Sequence, residues 1–532
     1  VCSSDLDYYD IDMLYPDNEE IDSYFSKYKP NIIGLSAVVS TSYSQVKRIS
    51  EIIRERLPDS WIVMGGNLSA CSETILHHTE VDLSVVGDGE DAWVKILEYI
   101  IDNPNRDKKK ASSLEKIKGV AFLNNGELRL NGFGVITPKD QMPYPDYNLL
   151  ASGLKDKQEY LNNYFRPGLN SGWFDFDDRA KDKNRNRNIA GIFASKGCVA
   201  KCTFCQRSTK GYRTQPLELL EDHLNYIRDN FDVGFIQILD ENFGSDKKHS
   251  YQVAKILHKA GMLWMATGIR CKSTTDDDVK YYYDHGCSAL KYGVESGSQK
   301  ILDIMEKVFK VSDVYTALEA CMRYGVYSPI AVMVGMPGED QYTARETGKF
   351  IGEVAAKLGV HPEIMKYEIF YALPLPGTPL WEYGEQVGVV GKDTSDVVDY
   401  LTRISDAGVY KRYYINLNGA SMKEVIFWEY IVKLEASRVF NKKNTGNLNN
   451  NFRNRFVVKA KNDRAKNPRF SLKYTVLKFT HITYFIDAYV VGNKVIDAIP
   501  RGIIYPIIKY LLYFEFVIQK LYGHNMESNL YI

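Results

Sequence analysis

Cys198, Cys202 and Cys205 stand in the spacing C-x3-C-x2-C, on a segment opened by Gly197 and preceded by the apolar run from Ile189. Three thiolates so placed can hold a four-iron cluster by three corners and leave the fourth iron open to a small molecule. Structural zinc asks for four ligands in paired spacing, and no fourth Cys or His lies in this loop. The spacing is too tight for three ligands on one helix face, so an irregular loop is expected, which glycine favours. Of the other cysteines, Cys71, Cys271, Cys287 and Cys321 read as small buried apolar residues. No even-spaced disulfide framework is present, which points to a reducing, cytoplasmic setting.

The elements that must position these thiols follow from the hydrophobic pattern. The length, 532 residues, implies two or three domains. In the first third, strands at 31–39, 61–64 and 83–86 alternate with helices, which predicts a doubly wound parallel sheet. The stretch 118–131 reads as a β-hairpin turning at Asn125-Gly126. Residues 138–188 lack periodicity and read as a linker or covering loop, with 160–188 the part most suited to cover a pocket. From Ile189 six strand candidates follow, at 189–195, 235–239, 263–269, 289–294, 328–334 and 366–373. The first five lead into helical stretches. Six βα units predict an incomplete parallel barrel whose active residues leave the strand C-termini. The expected division is 1–137, 138–188, a barrel over 189–400, and a mostly helical extension over 401–532.

With these residues in place, the chain resembles radical S-adenosylmethionine (SAM) enzymes. Phe204 stands before the third cysteine, where the family has an aromatic. Asp240-Glu241-Asn242 closes the second barrel strand, in the place that meets the SAM amino group, although many members have Gly-Gly-Glu there. Glu295 and Ser296, within Gly293–Gly297, resemble the family's GxES segment, which faces the ribose and methionine moiety. Gly335 and Glu339 follow the fifth strand, on the adenine side. The segment Pro374 to Leu380 matches one common in cobalamin-linked members.

The first third resembles a cobalamin-binding domain. Ser36, Ser40 and Thr41 follow its first strand, Gly65 and Gly66 its second, and Gly87, Gly89 and Glu90 its third, where they would line the corrin face. The resemblance implies a strand and helix ahead of Val1, with Asp5-Leu6-Asp7 as the tail of a further strand. No Asp-x-His-x-x-Gly motif occurs, so the lower ligand of cobalt stays open.

The implied cofactors are a [4Fe-4S] cluster, SAM and cobalamin. The implied reaction is reductive SAM cleavage to a 5′-deoxyadenosyl radical, hydrogen abstraction, and methyl transfer to an unactivated carbon of a small, hydrophobic substrate. A cyclase-like rearrangement is the alternative, and an iron–sulfur binding protein without radical activity the reading from another class. A methylthio-transferring tRNA enzyme ranks below both, because its second cysteine set is missing. Flavodoxin or ferredoxin is the expected electron donor, and nucleic acid is not an expected partner.

Net charge is zero, yet residues 441–532 carry fifteen Lys/Arg against five Asp/Glu. This basic, aromatic tail suits a helical cap on the barrel, peripheral contact with an anionic membrane surface, an acidic substrate or RNA. Lys509 and Glu515 interrupt its apolar stretch, Ile503 to Leu521, and Pro506 would kink it, so it is expected to lie in an interface or be buried. No secretory signal pattern opens the chain.

Overall fold

The computed structural model describes residues 6–108, 110–150, 161, 164, 165, 177, 179, 187–207, 209–365, 367–405, 414–444, 486, 490, 491 and 493–522. Most of the expected covering loop and the Asn/Lys/Arg-rich stretch after Asn444 lie outside the described residues.

The N-terminal sheet has five strands in the order β1 (Ile32–Ser36), β2 (Trp61–Gly65), β3 (Leu83–Val85), β4 (Val120–Asn124) and β5 (Glu127–Leu130). The first three are parallel and the last two antiparallel. Along β2 the side chains alternate between two cores. Ile62 and Met64 join the core of α1 (Asn18–Tyr28), α2 (Tyr43–Arg56) and α3 (Ser72–His78), whereas Trp61 and Val63 meet α4 (Glu90–Asp102). A parallel sheet buried on both faces needs this near-continuous apolar run. The β4–β5 hairpin turns at Asn125 and Gly126, both at positive φ, as expected of an Asn-Gly turn. Leu6 and Asp7 do not form the expected strand tail. Instead, Asp10 caps a helical turn at Ile11–Leu14.

All six expected barrel strands are present: β6 (Asn188–Ile192), β9 (Val233–Ile238), β10 (Leu263–Ile269), β11 (Cys287–Tyr292), β12 (Ala331–Val334) and β13 (Glu368–Tyr371). β7 (Ser195–Lys196) and β8 (Arg213–Thr214) make a small ladder between the first two. β6, β9, β10 and β11 form one parallel sheet, and β12 and β13 another. Single bridges, Ala289 to Tyr327 and Glu295 to Val332, connect the two. Helices α5 (Leu217–Phe231), α6 (Lys247–Lys259), α7 (Asp276–Asp284), α8 (Gln299–Ile304), α9 (Val311–Tyr324) and α10 (Gln341–Leu358) complete the units. Cys271, Cys287 and Cys321 are buried in this core and Cys71 in the N-terminal one, as expected.

Two features tie the pieces together. Helices α11 (Pro379–Gln386) and α12 (Thr394–Ile404) leave the barrel and pack on the N-terminal domain. Trp381, Tyr400 and Ile404 join the core of Ile49 and Ile75, and His78 Nε2 lies 2.9 Å from Thr394 Oγ1. On the far side, α13 (Met422–Lys443) runs against α10 at Gly348 and Gly352. A Cβ on either glycine would come within 2.6 Å of an α13 backbone oxygen, so only glycine permits this approach. Helix α14 (Arg501–Tyr522) packs on α13 in turn, with Arg501 held bidentately by Glu435 at 2.6 Å. It continues through Pro506 near its N-terminus.

The described residues of 138–188 lie mainly along the barrel flank and its lower rim. Tyr147 and Phe165 pack on α5, while Arg179 donates to the carbonyls of Tyr283 and Cys287 at the entry of β11.

Candidate active site

The cysteine loop leaves the C-terminal end of β6. Gly197 has φ +88°, and a Cβ there would come within 2.0 Å of the Gly211 oxygen, so the loop bends only with glycine. Thr203, between the second and third cysteines, anchors it. Its N–H donates to Met305 O (3.1 Å), its hydroxyl to Ile304 O (3.1 Å), and its carbonyl accepts from Leu380 N–H (3.0 Å).

Cys202 is buried, Cys198 half-buried and Cys205 exposed. A hydrogen bond from the Cys205 thiol lowers Cys202 to about 6, burial opposes this, and Lys307 and Arg270 add to the lowering. The same bond pushes Cys205 up. The Ala200 N–H points at Cys198 Sγ, 3.4 Å away. Among the described residues no three Cys, His, Asp or Glu groups converge on one metal ion. The positive field of Lys307 and Arg270 suits an anionic cluster.

Lys307 had no motif to announce it. Its Nζ lies 3.4 Å from Glu295 Oε1, 5.7 Å from the Phe204 ring centroid and 5.5 Å from that of Phe309. Arg270 donates to its carbonyl (2.9 Å). Glu295, Glu306 and Val308 all have φ between +52° and +63°. For a β-branched residue such as Val308 that is a true outlier, and such strain gathers at functional sites. Glu295, Phe204, Lys307 and the cysteines thus form one cluster of groups.

The other expected SAM residues divide. Asp240 differs from expectation, because both of its oxygens point inward. They accept from Ala194 N–H (2.7 Å) and Ser195 Oγ (2.5 Å), holding the entry of the cysteine loop. Burial raises this carboxyl to about 6. Glu241 is exposed at the mouth, its carboxyl raised chiefly by desolvation. Asn242 is buried and its Nδ2 has no partner among the described residues, leaving a donor for an acceptor. Ser296 also faces inward, 3.1 Å from Thr347 Oγ1. Gly335 has room around it, with the nearest atom 3.8 Å from a built Cβ.

Glu339 is buried, accepts from Thr343 Oγ1 (2.5 Å), and is raised by that burial to about 8. A carboxyl raised on folding favours the fold fully below its unfolded value, about 4.5, and loses that contribution as pH climbs toward 8. At roughly 1.36 kcal/mol per unit, the rise from 4.5 to about 8 sets an upper limit of roughly 5 kcal/mol. Glu339→Gln should therefore unfold at a higher temperature than the parent, by a margin that widens between about pH 5 and 8. A margin constant with pH would contradict this.

At the C-terminal ends of β1–β3, Ser36 is exposed beside Gly65, and Val38 and Val39 are 64% and 56% exposed. A Cβ on Gly65 or Gly89 would meet nothing within 4 Å. This open apolar ledge fits the face of a corrin. Other expected residues there serve the fold. Gly66 closes a turn at φ +96°, with Ala37 O 2.3 Å from a built Cβ, and Gly87 (φ +99°) packs under Phe133. Thr41 lies in the 3-10 turn Ser40–Ser42. Ser40 is buried and donates to Gln206 Oε1 (2.8 Å).

Gln206, directly after Cys205, also donates to Asn67 O (3.0 Å) and Pro376 O (2.8 Å). It joins the cysteine loop, the ledge and the segment after β13. A second tie lies at Asp88, which takes Arg213, Thr209 and Lys196 from the barrel side. Glu90 pairs with Lys196 (3.2 Å) and Thr137 (2.8 Å). Burial alone would raise Asp88, but Thr209, the Thr137 N–H, Lys196 and Arg213 outweigh it and hold the carboxyl below its ordinary value.

Three thiols on a loop of a partial barrel lie beside an open ledge of a doubly wound domain, the arrangement expected of an enzyme that pairs a cluster with a corrin. Residues 192–351 match the radical SAM superfamily and residues 4–97 the B12 binding domain, so the chain is a radical SAM enzyme with an N-terminal B12-binding domain. Its cofactors are accordingly a [4Fe-4S] cluster, SAM and cobalamin. An uncharacterized methyltransferase of Pyrococcus horikoshii is 24% identical over 374 residues, covering 68% of this chain and 71% of the relative. The cytidylyl-2-hydroxyethylphosphonate methyltransferase of Streptomyces wedmorensis is 19% identical over 415 residues, 76% and 74% of the two chains. Among solved structures, the cobalamin-dependent SAM radical enzyme OxsB, with aqua-cobalamin and SAM bound, has a TM-score of 0.59 at 14% identity, covering 97% of this chain and 74% of that one. The radical SAM methyltransferase TsrM of Kitasatospora setae gives 0.54 at 15%, covering 72% and 71%.

Proposed function

We propose that the chain methylates an unactivated carbon of a small molecule by cobalamin-dependent radical chemistry. The observation that carries this reading is Gln206, which binds the cysteine loop directly to the ledge that fits a corrin. The names of both methyltransferase relatives support it.

When bound, the cofactors would supply one-electron reduction, hydrogen-atom abstraction and a transferable methyl group. The residues would hold and shield. Cys198, Cys202 and Cys205 would carry the cluster. The Lys307 ammonium, buried beside Glu295, offers charge to a carboxylate, and Glu241 offers its carboxylate to an ammonium. Asn242 adds a neutral donor. Phe204 and Phe309 screen this corner from water. Val38, Val39 and Gly65 would seat the corrin, and Gly335 would leave room for backbone approach by the adenine. The exposed side of Cys205 is the natural approach for an external electron donor such as flavodoxin or ferredoxin.

The outer face of α14 exposes Ile503, Ile507, Leu511 and Phe514. With the basic tail, this stripe supports contact with an anionic membrane surface, although no helix among the described residues is long and apolar enough to cross a bilayer.

Reduced, cluster-reconstituted protein given SAM and hydroxocobalamin should form methylcobalamin and S-adenosylhomocysteine in addition to 5′-deoxyadenosine. Formation of 5′-deoxyadenosine alone would overturn methyl transfer while leaving radical activity in place.

A further inference from the structure

Between α13 and α14 lies a cleft of about 400 Å³, within the usual range for small-molecule sites of about 300–1,000 Å³. None of its lining residues belongs to the cysteine loop or the ledge. Its walls are aromatic: Phe427 and Trp428 come from α13, Tyr505 and Tyr510 from α14. The first three are at most 5% exposed, so their positions are fixed by the core behind them, whereas Tyr510 stands open at the rim.

The charge in this cleft is unbalanced. Lys509 pairs with Glu424 across the two helices. Lys423 also lines it, and among the described residues its ammonium meets no carboxylate; it lies 4.7 Å from the Tyr510 ring centroid and 4.9 Å from that of Tyr513. Two ammonium groups against one carboxylate leave one positive charge uncompensated above an apolar, aromatic floor.

We propose that this cleft binds an amphiphile with an apolar body and a single anionic head group, the body lying along Trp428 and Phe427 and the head on Lys423. An ammonium already poised over aromatic rings and lacking a counter-ion gains most from a phosphate or carboxylate. A neutral ligand would leave that charge unmatched, and a cation would be repelled. The assignment does not depend on the radical chemistry, and its test works on the full chain without cofactors.

Decyl phosphate below its micellar concentration should bind the full-length protein in calorimetric titration, with decanol at least about tenfold weaker. Lys423→Met should weaken decyl phosphate about tenfold, and Lys423→Arg should restore most of the loss. Ser421→Trp, a rim substitution that fills the cleft from an exposed position, should abolish binding without lowering thermal stability. Equal affinity in the parent and Lys423→Met would overturn the proposal. So would Lys423-dependent binding to phosphatidylglycerol vesicles with no uptake of monomeric decyl phosphate, which would assign this lysine to a bilayer surface.

Discussion

Replacing Cys198, Cys202 and Cys205 together with alanine should bring bound iron from about four per chain to background and erase the cluster's visible absorbance. The effect should be nearly complete because no other thiol among the described residues can substitute. Burial pushes Cys71, Cys271 and Cys321 up to about 12 and also raises Cys287, so none of these four offers a thiolate near neutral pH. The fold should survive. Cys198 and Cys205 lie outside the core, and the loop keeps its anchors through Thr203. Far-ultraviolet circular dichroism should match the parent. Iron retained at parental levels would remove the cluster assignment.

The second large effect is expected at Asp88. Its side chain is 3% exposed and faces Arg213, 10% exposed, with Lys196 beside it. Removing one member of a buried charge cluster leaves the others unmatched, at a cost of about 3–5 kcal/mol. Asp88→Ala should lower the unfolding temperature and expose the interface between the N-terminal domain and the barrel to limited proteolysis. Because the group is buried, added salt should change the difference little. An effect under about 1 kcal/mol would mean that the Asp88 cluster adds little to what holds the two domains together.

The barrel strands were legible because each is a short apolar run between turn residues, and the motifs fell at their C-terminal ends in chain order. Lys307 was not. Nothing in its spacing from Glu295 distinguishes it from a surface lysine, and only the left-handed conformations at Glu306 and Val308 turn it inward. Asp88 stands between Gly87 and Gly89, in a loop expected to face the corrin, and is an inter-domain anchor because its barrel partners lie more than a hundred residues away. Helices α11 and α12 show an apolar face in sequence, but a pattern of that kind does not say which domain receives it. Helix α14 is apolar almost all round, so its division into a buried and an open side came only from packing.

Gln206 has a last consequence. One amide, a single peptide bond from a cluster thiol, grips a hydroxyl and two carbonyls belonging to two other parts of the chain. The gap between the two cofactor seats is therefore gauged by the reach of that side chain before either guest arrives. The separation of the cysteine loop from the ledge is thus set in advance, and a residue one methylene longer at this position would act as a shim, altering spacing and not chemistry.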